Sequence, residues 1–189
     1  MPFQNDKKVF LAKEDKSKKG HIDRNIGKLV ELINKNPSYY TTSSCSGRIV
    51  LLKLGKLNRK YKAEWLFASH EKVNFSQLKK ALSRTRLPKE AVWFLQEGAI
   101  LHVRCKTLED TVAFLNRAKA AGFKHSGISS FGKKIIVEVI DTERIEAPVS
   151  RDGKPLAEDP YLKFLAQESN DKLGKTIKKI KRLEKILKK

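Results

Sequence analysis

The run from Thr41 to Arg48, TTSSCSGR, constrains the fold more than any other stretch of this chain. Hydroxyls, one thiol, a glycine and an arginine stand there, where a strand core would need bulk. Such a run is built to present polar groups, and it reads as a turn between strands. Gly47 admits backbone angles closed to other residues, so the chain can bend sharply and aim successive N–H groups outward. Arg48 adds a planar fork suited to a carboxylate or a phosphate. The ligand these residues suit is an anion; the plainer alternative is an ordinary Ser/Thr-rich connection.

Around that run the apolar pattern sets the element order. Ile22, Ile26, Leu29 and Ile33 recur at spacings of four, three and four, which predicts a helical opening over about residues 6–35, ended by Asn36 and Pro37. Residues 48–54 and 64–69 read as strands, followed by a short helix carrying Leu78, Ala81 and Leu82 and capped by Asn74 or Ser76. Two more strands follow over 91–96 and 99–105. Thr107 then caps a helix to Ala121, Gly122 stops it, and 133–140 is a β-branched strand. Ser126, Gly127 and Ser129 read as a loop, as does SRDGKPLAEDP from Ser150. The pattern predicts an α+β domain with a mixed or antiparallel sheet and two loosely repeated strand-strand-helix halves over residues 1–158. A basic C-terminal helix over 159–189 belongs to the same domain. No GxGxxG follows a first strand, so nothing in the chain supports a Rossmann-type nucleotide site.

Forty-one Lys and Arg against twenty-one Asp and Glu leave a net charge of +20. Such a field favours phosphate-rich partners and makes association sensitive to salt. In proteins of hot habitats lysine enrichment is commonly matched by glutamate; here it is not, which points to a nucleic acid. Residues 172–189 concentrate the imbalance, with nine basic side chains against Glu184 alone, while Leu173, Ile177, Ile180, Leu183 and Leu187 form an apolar stripe opposite. That helix reads either as an RNA-backbone track through Lys178, Lys181 and Arg182 or as a solvated helix packed by its stripe. Cys45 and Cys105 are too few for a disulfide framework and lack CxxC spacing, so a reducing, cytoplasmic setting without a structural metal is expected. No apolar run approaches the roughly 20 residues that span a bilayer, and the start MPFQNDKK lacks a secretory core, so no membrane partner is expected.

TTSSCSGR occurs here together with DKSKKGHID upstream and, downstream, WLFASHE, ILHVRCKTLEDTVAFLNRAKAAGFKHSGI, ERIEAP and PYLKFL. In that order, over nearly the whole chain, these blocks resemble the wybutosine-synthesis methyltransferase family, the third enzyme of that pathway with its stand-alone archaeal relatives. The resemblance implies S-adenosylmethionine-dependent N-methylation of a 4-demethylwyosine-type base beside the anticodon of tRNA(Phe). It implies Ser44, Cys45, Ser46, Gly47 and Arg48 as the cofactor cradle, with Arg48 as the anion clamp.

His70 and His102 both fall inside matching blocks and become candidate catalytic groups: a neutral imidazole beside Glu71 or Glu97 accepts the proton released as the acceptor nitrogen is alkylated. Asp15, Lys16, Lys19 and Asp23 are assigned to the RNA or base at the mouth of the site. Tyr39, Tyr40, Trp65 and Trp93 are candidates for stacking on adenine or the extended base. Two rival classes stand beside this reading. A non-enzymatic tRNA- or ribosome-binding module explains the charge and leaves the hydroxyl run unused. A metal-dependent hydrolase would draw on His70, His102 and Cys45 or Cys105.

Overall fold

A computed structural model describes residues 2–12, 22–54, 63–83 and 87–188. Along them the chain forms α1 (Phe3–Leu11), α2 (Arg24–Lys35), β1 (Tyr39–Cys45), β2 (Arg48–Lys53), β3 (Glu64–Ser69), α3 (Phe75–Ser83), β4 (Val92–Glu97) and β5 (Ile100–Cys105). Then come α4 (Leu108–Ala121), β6 (Gly127–Ser130), β7 (Ile135–Ile140), β8 (Ile145–Arg151), β9 (Lys154–Pro155) and α5 (Asp159–Leu187). These elements make two compact units, neither contiguous in sequence. The first is Met1–Ser46, Ala99–Thr142 and Thr176–Lys189; the second is Gly47–Gly98 and Glu143–Lys175. Among the described residues no helix is long and apolar enough to cross a membrane.

The first unit is built on an antiparallel sheet ordered β1-β5-β7-β6. Alternation sends Leu101, Val103, Val137 and Val139 to one face, where they join Ile26, Leu29 and Ile33 of α2, Phe114 and Ala118 of α4, and Ile180 and Leu183 of α5 in one buried cluster. Each Val, Leu, Ile or Phe among them contributes about 1.5–3 kcal/mol on burial. Thr107 caps α4 by accepting the Asp110 N–H, and Gly122 ends it with φ 111°. On the opposite face α1 lays Phe3 and Phe10 against the Tyr40 ring. The Tyr40 hydroxyl donates to Asp6 at 2.7 Å, and Lys134 pairs with the same carboxylate. Just past β7, the wholly buried Asp141 carboxylate receives the Thr176 hydroxyl at 2.5 Å and pairs with Lys179 at 2.7 Å, fastening the last turns of α5.

The second unit carries an antiparallel sheet ordered β3-β2-β4-β8-β9. Ile49 and the register partners Leu51 and Phe94 are buried on it, and Leu78 and Ala81 of α3 and Leu162, Leu165 and Leu173 of α5 are buried in the same unit. Asn74 and Gln77 form a reciprocal cap for α3, each accepting the other's backbone N–H. Asn170 of α5 bonds both the N–H and the C=O of Val73.

The α+β reading with antiparallel sheets holds, and the described elements refine it. The helical opening is two helices: α1 and α2 are distinct, Ile22 is exposed ahead of α2, and residues 13–21 lie outside the described residues. The hydroxyl run is largely strand, with residues up to Cys45 in β1. The Ser126–Ser129 loop contains β6. The stretch after Ser150 holds a two-residue hairpin turn, Asp152 and Gly153 both having positive φ as a type I′ turn requires. The order strand, strand, helix does recur as β2-β3-α3 and β4-β5-α4, but β4 and β5 belong to different sheets.

Candidate functional site

On the first sheet, Ser43, His102 and Glu138 stand in one row. β1, β5 and β7 are neighbours, and their registers pair Ser43 with His102 and His102 with Glu138. A bulge between Thr41 and Ser43 brings this about: Thr41 opposes Val103, so Thr42 is the extra residue and Ser43 takes the place opposite His102. The Ser43 hydroxyl lies 2.8 Å from His102 Nδ1, and Glu138 Oε1 lies 3.2 Å from Nε2. A carboxylate only accepts, so Nε2 carries the proton facing Glu138; in the neutral ring Nδ1 then holds the lone pair that receives the Ser43 O–H. Ser43 is exposed while His102 and Glu138 are half-buried. A proton entering at the hydroxyl can therefore pass to Nδ1 and leave an imidazolium balanced by Glu138.

The second unit places Arg48, Trp65 and Glu97 together on strands β2, β3 and β4. Arg48 pairs with Glu97 directly across the ladder through its Nε, and its guanidinium carbon sits 4.4 Å from the centre of the Trp65 ring. Among the described residues the Nη edge of Arg48 has no hydrogen-bond partner. Gly47, just before it, has φ 91°, a region that favours glycine. Its carbonyl accepts from His70 Nδ1 at 2.9 Å, so His70 Nδ1 carries a hydrogen and the ring pins the turn. A guanidinium, a carboxylate and a half-exposed indole face form a donor set that fits an amino-acid zwitterion attached to a flat ring.

The remaining candidates sort by burial. In the first unit Ser46 is fully buried, and both its N–H and its hydroxyl bond the Asp23 carboxylate, at 3.0 and 3.2 Å. Asp23, expected at the RNA, is itself only 6% exposed and holds the signature run instead. Ser44 and Cys45 are half-buried. Asp15, Lys16 and Lys19 lie outside the described residues. Lys178 and Lys181 are exposed, whereas Arg182 turns a guanidinium hydrogen to the Ala121 carbonyl.

Tyr39 and Tyr40 are core residues, and burial together with Asp6 raises the Tyr40 hydroxyl to about 12. Of the four aromatic candidates that leaves Trp65 the most exposed, with Trp93 half-buried. Glu97, expected beside an imidazole, pairs with Arg48, and Glu138 is the carboxylate that meets His102. Cys105 is fully buried, its thiol pushed up to about 11 by desolvation, which removes it from the hydrolase reading. Sequence reasoning missed Ser43 and Glu138. The one signal for Glu138 was an acid inside the otherwise apolar strand IIVEVI.

Comparison with known proteins identifies the family. Residues 5–189 match the family described as Methyltransferase TYW3. The protein of Thermococcus sibiricus named tRNA(Phe) 7-((3-amino-3-carboxypropyl)-4-demethylwyosine(37)-N(4))-methyltransferase is 38% identical over 94% of this chain and 90% of its own length. A Pyrococcus horikoshii protein with the same name, numbered 1, is 37% identical over the same shares. The tRNA wybutosine-synthesizing protein 3 homolog of Danio rerio is 36% identical over 98% of this chain and 74% of its own length. The solved structure of the PH1069 protein from Pyrococcus horikoshii superimposes with a TM-score of 0.89 at 36% identity, covering 98% of this chain and 96% of that one.

Proposed function

The chain belongs to the TYW3 methyltransferase family, and on that premise we propose that it methylates N(4) of the 4-demethylwyosine-type base beside the anticodon of tRNA(Phe), using S-adenosylmethionine. The observation that carries the reading is similarity, over 94% of this chain and 90% of theirs, to relatives named for that transfer. A binding module without chemistry is not favoured, because it leaves the row on the first sheet without a task.

When bound, S-adenosylmethionine supplies a methyl group on a sulfonium, already electrophilic enough that the protein's work is positioning and proton removal. Arg48 would hold the cofactor's carboxylate, Glu97 its ammonium and Trp65 its flat ring. Gly47 shapes the turn and His70 holds its carbonyl, Ser44 and Cys45 complete the cofactor segment in sequence, and the buried Ser46 anchors that segment through Asp23. The acceptor nitrogen loses its proton as it gains the methyl. Ser43 takes that proton while passing its own to His102 Nδ1, and Glu138 balances the resulting imidazolium. Lys178 and Lys181 contact tRNA phosphates.

Transfer of labelled methyl to tRNA from cells lacking this protein, compared with fully modified tRNA, tests the reading. Incorporation into the first alone is expected; incorporation into neither overturns it.

A further inference from the structure

The first unit carries a groove of about 410 Å³ whose rim holds Arg24 and Lys28 of α2 and Lys181, Lys185 and Lys188 of α5, with Glu184 the one acid. Resting on the tRNA reading above, we infer that this groove seats the phosphodiester backbone of the tRNA substrate. Arg24 and Lys28 lie four residues apart, and Lys181, Lys185 and Lys188 fall at helical spacing, so each helix presents one cationic row. The inward faces of the same helices are cemented in one core: Ile26 and Leu29 on α2, Ile180 and Leu183 on α5. Packing therefore brings two like-charged rows to one rim, an arrangement that repels itself until a polyanion enters.

Two further cations of α5 already have partners in the fold. Lys179 is paired with Asp141 and Arg182 faces the Ala121 carbonyl. The five groove cations make no ion pair with any described residue, and all five are exposed. From Lys181 to Lys188 the helix rises about 10 Å, enough for about three phosphates of one strand. The spacing suits a backbone better than a single anion.

The experiment measures binding of unmodified tRNA(Phe) transcript to the full chain by fluorescence anisotropy across a potassium chloride series. Two triple variants are compared with the parent: Lys28→Gln with Lys181→Gln and Lys185→Gln in the groove, and Lys106→Gln with Lys119→Gln and Lys124→Gln, equally exposed on the same unit. Thermal melts confirm that each variant folds. The groove triple should weaken binding at least tenfold at low salt and flatten the slope of log K against log salt by about two, while the other triple changes the slope by less than about one. Equal losses in both triples, or none in the groove triple, overturn the inference. Methyl transfer by the parent, measured alongside, separates the two claims. A groove-dependent slope without any transfer leaves the groove standing and fells the enzymatic reading; transfer with an unchanged slope does the reverse.

Discussion

Thr42 is the extra residue of the β1 bulge, and through it Ser43, rather than its neighbour, faces His102. In a strand the side-chain period is two, so deleting Thr42 restores regular pairing with Ser43 still opposite His102, whereas an unbulged strand that kept Thr42 would set Thr42 there instead. His102→Ala should lower single-turnover methyl transfer by about 10²–10⁴-fold with tRNA affinity unchanged, measured at saturating tRNA. Glu138→Ala removes one charge-assisted partner, worth about 1.5–3 kcal/mol, and should cost about 10–100-fold in the same assay; wild-type rates in both variants would exclude the row from the chemistry. Gly47 poses a different constraint. With φ 91°, Gly47→Ala stores about 1–3 kcal/mol of strain, read as a lower midpoint of urea unfolding.

At the scale of elements, α1 is the one most open to titration, because Asp6 fastens it to the sheet. Hydrogen bonds from Lys134 and from the Tyr40 hydroxyl lower the Asp6 carboxyl below its ordinary 3.8. A group whose folded value is depressed stabilises fully above the unfolded one and ceases to do so as pH falls through the folded value. Docking of α1 should therefore hold from neutrality down to about pH 4 and weaken below it. Ring signals of Phe3, Phe10 and Tyr40 report this by NMR, and Asp6→Asn should abolish the pH dependence; a titration unchanged by that substitution would mean another group controls α1.

Periodicity exposed α2, α4 and most of α5 because their apolar faces are continuous stripes. It could not expose β1 as a strand. Only Tyr39, Tyr40 and Thr41 of β1 are buried, and its serines point where no core exists, so the pattern reads as a turn. The carboxylate of Glu138 was equally hidden, since only sheet order brings it beside a histidine from another strand.

For the whole molecule, the decisive fact is that both units are assembled from separated stretches of chain. β1 finds its partner β5 across 59 residues at Ser43 and His102, while β2 and β4 wait for β8 and the first half of α5. Pairings of this kind must close long loops before any burial rewards them. A cut after Gly98 therefore divides both units at once. Fragment 1–98 keeps β2, β3, α3 and β4 but loses β8 and the first half of α5, with the buried Leu162, Leu165 and Leu173. Losing the burial of those three forfeits about 1.5–3 kcal/mol each, a large part of the 5–15 kcal/mol that typically holds a domain together. Trp65 and Trp93 both lie in that fragment, so near-ultraviolet dichroism reads its packing directly. The fragment alone should show a flat near-ultraviolet spectrum and no cooperative melt, and 99–189 alone should likewise melt without a transition. A cooperative transition in either would mean that one unit is held by its contiguous core, with the crossing strands and α5 as additions to it.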